Sequence, residues 1–433
     1  MSGTDRAATA PAAGVRRLAG AHGALGAILL LALIVRLAYC FVIGPALVKD
    51  RAAELGWIMV NGRIGTDPYD QIARNVVAGK GYVDDTGRRN YERAPGYVLF
   101  LAGSYRLWGS EPWKVQLVQS VLDTASCLLV FLLAMRVLGD RRAALLAALL
   151  YALYYKMVNM VSRPMSETLY VFLLLAFLLL FVESFPRAGF AFPAGAGLGL
   201  ATLTRPVTLL FPLVAVVLYL LRGRREGLRR AVPFALAFAL ACVYVPLQNY
   251  RETGRVFFGL GGGKIMYMGT AIDYSKPFRG EEQRLVDEIQ RDAPTFPYDP
   301  RVDAAFGSEA LRRIAAAPWA YAGRVAYRLY LFWVYPDFST PLMTVKSAAG
   351  LLLSLAVCAL AVFGVAAARA AGAEVAPLVA LVLYCYALYA LIYATPRYAM
   401  PFFPVLFILA SAGVLAAWRR RPGTARGASR APR

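Results

Sequence analysis

Residues 67–109 read DPYDQIARNVVAGKGYVDDTGRRNYERAPGYVLFLAGSYRLWG, and this stretch decides how the rest of the chain is interpreted. It is polar, carries several Asp, Arg and Lys residues, and lies between two long apolar segments. A polar loop held by membrane helices is a common place for chemistry, because the helices position it while substrates still reach it. We therefore interpret the remaining chain as the frame of this loop.

The composition indicates a membrane protein. Of the 433 residues, 59% are hydrophobic and 17% are charged, whereas soluble domains are closer to half apolar and a quarter charged. The apolar residues form runs of about 18 to 25, the length that a helix needs to cross a bilayer. We expect an all-α integral membrane fold with about ten transmembrane helices, near 24–44, 113–135, 143–161, 166–183, 189–204, 206–221, 231–248, 346–367, 375–394 and 399–417.

The net charge of +21 suggests a nucleic-acid partner at first sight. Most of the excess arginine, however, falls in loops that ten spans would place in the cytoplasm, and the short outer turns hold only Arg163, Arg205 and Arg397. The positive-inside rule accounts for this asymmetry. We expect both termini in the cytoplasm, both long loops outside the plasma (inner) membrane, and membrane lipids rather than nucleic acid as partners.

This topology predicts five parts of the chain. They are a cytoplasmic tail over 1–21, a transmembrane core over 22–248 with an external loop over 45–112, a second external segment over 249–340, C-terminal transmembrane helices over 341–417 and a basic cytoplasmic tail over 418–433. The run DAAFGSEALRRIAAAPWAY predicts that the second external segment is partly helical.

Histidine and cysteine usage argues against several kinds of site. His22 is the single histidine and precedes the first apolar run, and the five cysteines show no paired spacing. This pattern disfavours a histidine-based or zinc mechanism and a disulfide framework. We expect no required metal or cofactor.

Two short helices are predicted inside the first loop. Pro68 suits the first turn of a helix that Asp67 would cap, and Pro95 begins an apolar run that is too short to cross a membrane. Asp67 is therefore either a capping residue or a general base at the membrane surface. Arg93 either precedes a packing helix or contacts an anion there.

Two ionisable residues lie inside apolar runs. Arg36 either extends toward the lipid headgroups or pairs with another group. Asp123 is expected to form a hydrogen bond to a Ser or Thr of a neighbouring helix, although a proton-coupled transporter would also use such a carboxylate.

Several motifs follow one another in a recognisable order. D-x-Y-x-x-I-A begins at Asp67, N-x-x-x-G-x-G-Y at Asn75, and R-x-P-G-Y-x-L-F-L-A at Arg93, before a closing L-W-G. Further segments are R-P-M-S-E-T-L-Y-V-F-L-L-L from Arg163, G-L-A-T-L-T-R-P over 199–206 and R-Y-A-M-P-F-F-P over 397–404. Together they resemble the GT-C glycosyltransferases, which include protein mannosyltransferases and the lipid A aminoarabinose transferase. The resemblance covers about 65–260 and 395–417.

The resemblance implies a GT-C bundle with a helical first external loop, and transfer of a sugar from a polyprenyl-phosphate donor to a glycan, lipid or protein acceptor outside the cytoplasm. Asp67 matches the aspartate proposed to deprotonate the acceptor, Glu167 matches an acidic residue that shapes the active site, and Arg93 matches a basic residue near the donor phosphate. Tyr97 belongs to the same motif as Arg93. Arg205 and Arg397 would either join Arg93 at the phosphate or anchor helices to headgroups.

Two alternatives stay open at this point. The family often has a second acidic residue directly after the aspartate, where this chain has Pro68, so the base is Asp67 or else Asp70, Asp84 or Asp85. The alternative function is a secondary transporter or flippase of a lipid-linked or anionic substrate, for which Asp123 is the only support.

Overall fold

The computed structural model describes residues 10–43, 59–60, 63–64, 68–270, 288, 291, 300–334, 345–394 and 396–420. The first described element is helix α1 (Ala10–Ala38), which continues as a π-helical turn over Tyr39–Ile43. Two short strands, β1 (Met59–Val60) and β2 (Arg63–Ile64), form an antiparallel pair.

The first half of the bundle consists of helices that begin and end at sequence signals. Pro68 and Pro95 start their helices as predicted, and Gly139 ends another in the left-handed conformation with φ of 62°. The helices are α2 (Pro68–Val77), α3 (Pro95–Trp108), α4 (Pro112–Leu138), α5 (Arg141–Ala152), α6 (Tyr155–Val161), α7 (Glu167–Ser184), α8 (Ala191–Thr204) and α9 (Phe211–Leu220), with 3-10 turns over Ala188–Phe190 and Pro206–Thr208.

The second half is also helical in its described residues. The segment predicted to be partly helical contains three of these helices, which confirms that expectation. The helices are α10 (Arg224–Cys242), α11 (Tyr244–Thr253), α12 (Gly262–Met268), α13 (Pro300–Ala316), α14 (Pro318–Val334), α15 (Val345–Ala370), α16 (Ala376–Ile392), α17 (Pro396–Ala399) and α18 (Phe403–Arg419), with a 3-10 turn over Met400–Phe402.

Several of these helices are long and apolar enough to cross a membrane. Within the described residues there are 5 such helices, or up to 7 if the bent pairs α5 with α6 and α10 with α11 each form one span. Three shorter apolar helices, over Ala188–Thr204, Pro206–Leu220 and Ala376–Ile392, accompany them. The all-α integral membrane fold is confirmed, and the number of ten spans stays a prediction.

Helix packing in the bundle depends on aromatic residues and on glycine. Four fully buried rings, Phe177, Phe181, Phe211 and Phe234, join α7, α9 and α10, with neighbouring centroids 5.4 to 5.8 Å apart. Elsewhere in the bundle, a side chain at Gly364 would collide with the carbonyl of residue 409, so α15 and α18 pack backbone to backbone.

Helix α7 defines the two ends of the bundle. Near its last turn Glu183 pairs with Arg136 at 2.6 Å, and the neighbouring Asp140 pairs with Arg419 of α18. These are residues that the sequence places at the cytoplasmic side. Glu167, the first residue of α7, lies one helix length away at the opposite end.

Inside the bundle, Arg36 and Asp123 pair with each other. Nε of Arg36 donates to Oδ2 of Asp123 at 2.5 Å, and both side chains are fully buried. The expected bond of Asp123 to a Ser or Thr is wrong, because its second oxygen accepts from the hydroxyl of Tyr151. Its Oδ2 binds Arg36, 87 positions away in sequence, because a hydrogen bond between two charged groups is stronger than one to a hydroxyl.

Candidate functional site

A buried carboxylate with two arginines forms the centre of the candidate site. Oε1 of Glu167 lies 2.7 Å from Nη1 of Arg205 and 2.5 Å from Nε of Arg397. The Glu167 side chain is fully buried, whereas 15% of Arg205 and 34% of Arg397 are exposed. We name these three residues the Glu167 cluster. It carries a net positive charge, and its cations are on the accessible side.

Prolines and helix ends place each member of the cluster. Arg205 is extended, with φ of −145° and ψ of 115°, because the following Pro206 disfavours a helical conformation. This confirms the predicted turn between two separate helices. Arg397 lies on the short helix α17, which Pro396 begins. All three side chains thus come from points where a helix starts or stops.

Aromatic rings surround the Arg205 guanidinium. Its carbon lies 5.9 Å from the ring centroid of Tyr170 and 5.7 Å from that of Tyr398. Tyr398 in turn stacks on Tyr389, with centroids 4.7 Å apart. These faces favour a cation and hold the guanidinium in one orientation. The second carboxylate oxygen of Glu167, Oε2, has no hydrogen-bond partner among the described residues.

Helix α3 brings the first loop against this cluster. A Cβ at Gly96 would lie 2.7 Å from Oγ1 of Thr204 and 2.8 Å from the carbonyl of Leu203, so only glycine permits this approach. Thr204 directly precedes Arg205, and Arg93 lies three residues before Gly96. The close packing therefore places the two arginine-bearing segments next to each other.

Arg93 and Tyr97 both contact Tyr69 of helix α2. The Arg93 guanidinium lies 5.2 Å from the ring centroid of Tyr69, which packs edge-on against Tyr97 at 5.1 Å. Tyr97 is fully buried, and its hydroxyl donates to Gln119 at 2.7 Å. In this structure Tyr97 therefore connects the loop helices to α4. Its role as a substrate contact stays a prediction.

A cavity of about 260 Å³ opens beside Arg93, between the first loop, α3 and α11. Arg89, Asn90 and Gln248 line its polar side. Leu99 and Tyr244 line its apolar side and are 56% and 66% exposed. The cavity thus combines a cationic interior with an apolar wall that faces outward from the bundle.

Asn90, which lines this cavity, has a buried hydrogen-bond donor without a partner in the described part of the chain. The residue is only 3% exposed, and its Oδ1 accepts from the backbone N–H groups of Glu92 and Arg93. Its Nδ2 is buried and has no hydrogen-bond partner among the described residues. A buried donor of this kind normally has a partner, so it is suited to a ligand oxygen.

The polar stretch is also fastened to α11. Glu252 accepts from the Tyr91 hydroxyl at 2.9 Å and pairs with Arg89 at 3.3 Å. Burial, followed by the hydrogen bond and the charge of Glu252, raises the pKa of Tyr91 to about 12. The hydroxyl therefore remains a donor at neutral pH, and the loop keeps its contact with the helix.

Comparison with known proteins identifies the architecture. Residues 92–248 match the family model of the dolichyl-phosphate-mannose-protein mannosyltransferases. The oligosaccharyltransferase of Archaeoglobus fulgidus in the apo form is 15% identical and superimposes with a TM-score of 0.53, over 93% of this chain and 51% of that chain. This chain has the GT-C fold. The resemblance predicted from the sequence is thereby confirmed.

ArnT from Cupriavidus metallidurans, in a structure bound to undecaprenyl phosphate, is 16% identical with a TM-score of 0.35, over 87% of this chain and 79% of that chain. No curated protein matches the sequence. The chain spans about half the length of the archaeal oligosaccharyltransferase.

The aspartates considered as the general base differ in their surroundings. Asp67 lies outside the described residues. Asp70 accepts from the Tyr105 hydroxyl at 2.5 Å and from Arg74 at 3.0 Å, so it joins α2 to α3. Asp84 is buried and its Oδ1 accepts three local hydrogen bonds that shape a turn, while Asp85 is exposed.

Sequence reasoning missed some residues of this region. Asn90 and Arg89 belong to the polar stretch, but no motif distinguished them from its other polar residues. Gln248 ends an apolar run and gave no signal. Tyr398 directly follows Arg397 in a motif that the resemblance included, so that motif was the available signal. Within the described residues, no three His, Cys, Asp or Glu side chains group together as metal ligands do.

Proposed function

We propose that this GT-C chain is a glycosyltransferase that moves a sugar from a polyprenyl-phosphate donor to an acceptor on the extracytoplasmic face of the membrane. The Glu167 cluster carries this proposal. It is a cationic site at one end of a membrane bundle, and Glu167 and Arg205 both fall inside the matched residues 92–248. The name of that family supports a lipid-phosphate sugar as donor.

The reaction requires positive charge at the departing phosphate. The bond between the anomeric carbon and the phosphate oxygen breaks, and the acceptor oxygen forms a new bond to that carbon. The phosphate leaves with the electron pair, and a base takes the acceptor proton. Arg205 and Arg397 share one carboxylate, so the cluster retains one uncompensated charge for the phosphate.

The cavity beside Arg93 supports an amphipathic donor. Arg89, Arg93 and Asn90 offer donors for an anionic head, while Leu99 and Tyr244 lead toward the outer surface of the bundle. An apolar chain would leave along this wall into the lipid. A soluble nucleotide sugar has no apolar chain that would contact this wall.

Asp67 is our candidate for the base. It precedes Pro68 and Tyr69 in sequence, and Tyr69 packs on Arg93. Asp70 and Asp84 already accept hydrogen bonds that hold local structure. A base on the acceptor and a phosphate on the opposite face of the sugar correspond to a single displacement with inversion. Glu167 would assist by fixing the two arginines, and Tyr97 would support the donor side.

The membrane orientation belongs to the same proposal. Both termini would be cytoplasmic, with loop 45–112 and segment 249–340 outside the plasma membrane, around a core over 22–248 and helices over 341–417. The tails over 1–21 and 418–433 would face the cytoplasm. The acceptor would be a glycan, a lipid or a protein, and no metal or further cofactor would be required.

Sugar transfer from labelled polyprenyl-phosphate sugars tests the function directly. Purified wild type is compared with Asp67→Asn and with the matched control Asp70→Asn, three residues away. Loss of a general base lowers kcat by about 10²–10⁴, and we expect that loss for Asp67→Asn alone. An equal loss in Asp70→Asn alone would move the base to Asp70.

Absence of transfer by the wild type with every polyprenyl-phosphate sugar would contradict the function. Uptake or lipid translocation in vesicles would then test the transporter or flippase alternative. The structure offers that alternative little support, because Asp123 is paired with Arg36 and is not an isolated carboxylate.

A further inference from the structure

The span that precedes Glu167 is broken inside the bundle. Helices α5 and α6 meet at an angle of 53°, with Leu153 and Tyr154 between them. A break in the apolar region leaves backbone carbonyls that water cannot reach, so neighbouring groups have to bind them. The backbone N–H of Leu153 donates to the carbonyls of Leu149 and Tyr151. The carbonyl of Ala152 accepts instead from Nη1 of Arg36, at 3.0 Å.

Arg36 is held firmly while it makes this bond. Its Nε donates to Asp123 of α4 at 2.5 Å, and its Nη1 also donates to the carbonyl of Ala32 in its own helix at 2.9 Å. Asp123 accepts in addition from Tyr151, the residue before Ala152, at 2.5 Å. One guanidinium and one carboxylate thus connect α1, α4 and the broken end of α5.

The same face of α4 also holds the far end of α6. Gln119 lies four residues before Asp123, which puts both on one side of the helix. Its Nε2 donates to the carbonyls of Val161 and Arg163 at 2.9 and 2.8 Å. Gln116, which lies three residues before Gln119 in α4, donates to the carbonyl of Ser162 at 3.1 Å. Helix α4 therefore holds the chain just before the break, through Tyr151 of α5, and again at the end of α6.

The segment fixed in this way leads directly to the Glu167 cluster. Glu167 follows Arg163 by four residues and is the first residue of α7. Gln119 also accepts from Tyr97, which belongs to the helix that begins beside Arg93. One face of α4 is therefore in contact with both the Glu167 side and the Arg93 side of the site.

We infer that Arg36 and Asp123 are positioning residues that clamp the broken span and thereby place Glu167 for its task. A buried ion pair is by itself weak evidence for stability. Here it satisfies a carbonyl that the break exposes, and it does so next to the segment that carries the cluster. The consequence for catalysis rests on the proposed function, whereas the clamp itself is a property of the fold.

Hydrogen exchange tests the clamp without any assay of transfer. Asp123→Asn and the milder Tyr151→Phe are compared with Arg136→Gln, which breaks an ion pair to α7 at the other end of α4. We expect exchange over 153–166 to become about tenfold faster in the first two variants, whereas outside this segment the helices other than α1, α4 and α5 keep their exchange rates. Unchanged exchange over 153–166, or equal acceleration throughout the bundle, would overturn the inference.

Kinetics tests the consequence for the site. Misplacing a catalytic group by about 1 Å lowers the rate by about 100-fold, so kcat should fall by 10- to 100-fold in Asp123→Asn while the donor KM changes little. Arg36→Lys keeps the charge but not the fork that reaches both Asp123 and Ala152, so its activity should lie between wild type and Arg36→Gln. A fall that appears only as a higher KM would contradict positioning. Absence of wild-type transfer would refute the proposed function alone, because the exchange result stands apart from it.

Discussion

Replacing Glu167 with Gln would leave two guanidinium groups against each other with no carboxylate between them. Nη1 of Arg205 and Nε of Arg397 contact the same oxygen atom, so these cations lie close together. At a separation of about 5 Å and an effective dielectric constant of about 20, their repulsion is about 3 kcal/mol. Breaking a buried ion pair costs about 3–5 kcal/mol in other proteins. We expect Glu167→Gln to lower the free energy of unfolding by about 3–4 kcal/mol.

The measurement is unfolding of the purified protein in detergent, with Glu374→Gln as the matched control. Glu374 pairs with Arg222, but about half of each side chain is exposed. A surface pair of this kind contributes about 0–1 kcal/mol. Both variants remove one carboxylate charge from an arginine partner; they differ in burial and in the second arginine that Glu167 contacts.

A double variant separates repulsion from other effects. Arg397→Gln added to Glu167→Gln removes one of the facing cations, so the double variant should recover part of the lost stability. A Glu167→Gln protein as stable as the Glu374→Gln control would refute this reasoning. A double variant that loses the sum of the two single effects would refute it too.

Other changes test the surroundings of the site. Gly96→Ala should destabilise the protein by about 1–3 kcal/mol, because its Cβ would collide with Thr204, whereas Gly103→Ala has nothing within 4 Å and should be neutral or slightly stabilising in unfolding experiments. Leu99→Trp should narrow the cavity and raise the donor KM, and Leu107→Trp, an exposed position of the same helix outside the cavity lining, should leave KM unchanged. Chelation with EDTA should not reduce transfer; a loss that only an added divalent cation restores would contradict a metal-free mechanism.

Much of the local structure followed from the sequence because the signals are local. Pro68 and Pro95 start helices in the first loop, as a fixed φ and a missing N–H predict. Pro206 separates two helices at Arg205 for the same reason. Long apolar runs predicted the membrane fold, because each helix satisfies its own backbone in lipid. The order of the motifs carries the resemblance to GT-C glycosyltransferases, and this resemblance predicted the fold.

The partners of the charged residues were decided by tertiary structure. The sequence leaves two interpretations of Arg36 open and predicts the wrong partner for Asp123, because the two residues are 87 positions apart. Glu167 and Arg397 are 230 positions apart and meet only when α7 and α17 come to the same end of the bundle. The sequence by itself determined that apolar helices would carry a polar loop with Asp67 and Arg93. Which charges met was left to helix packing, because a buried ion pairs with whichever opposite charge the bundle brings within reach.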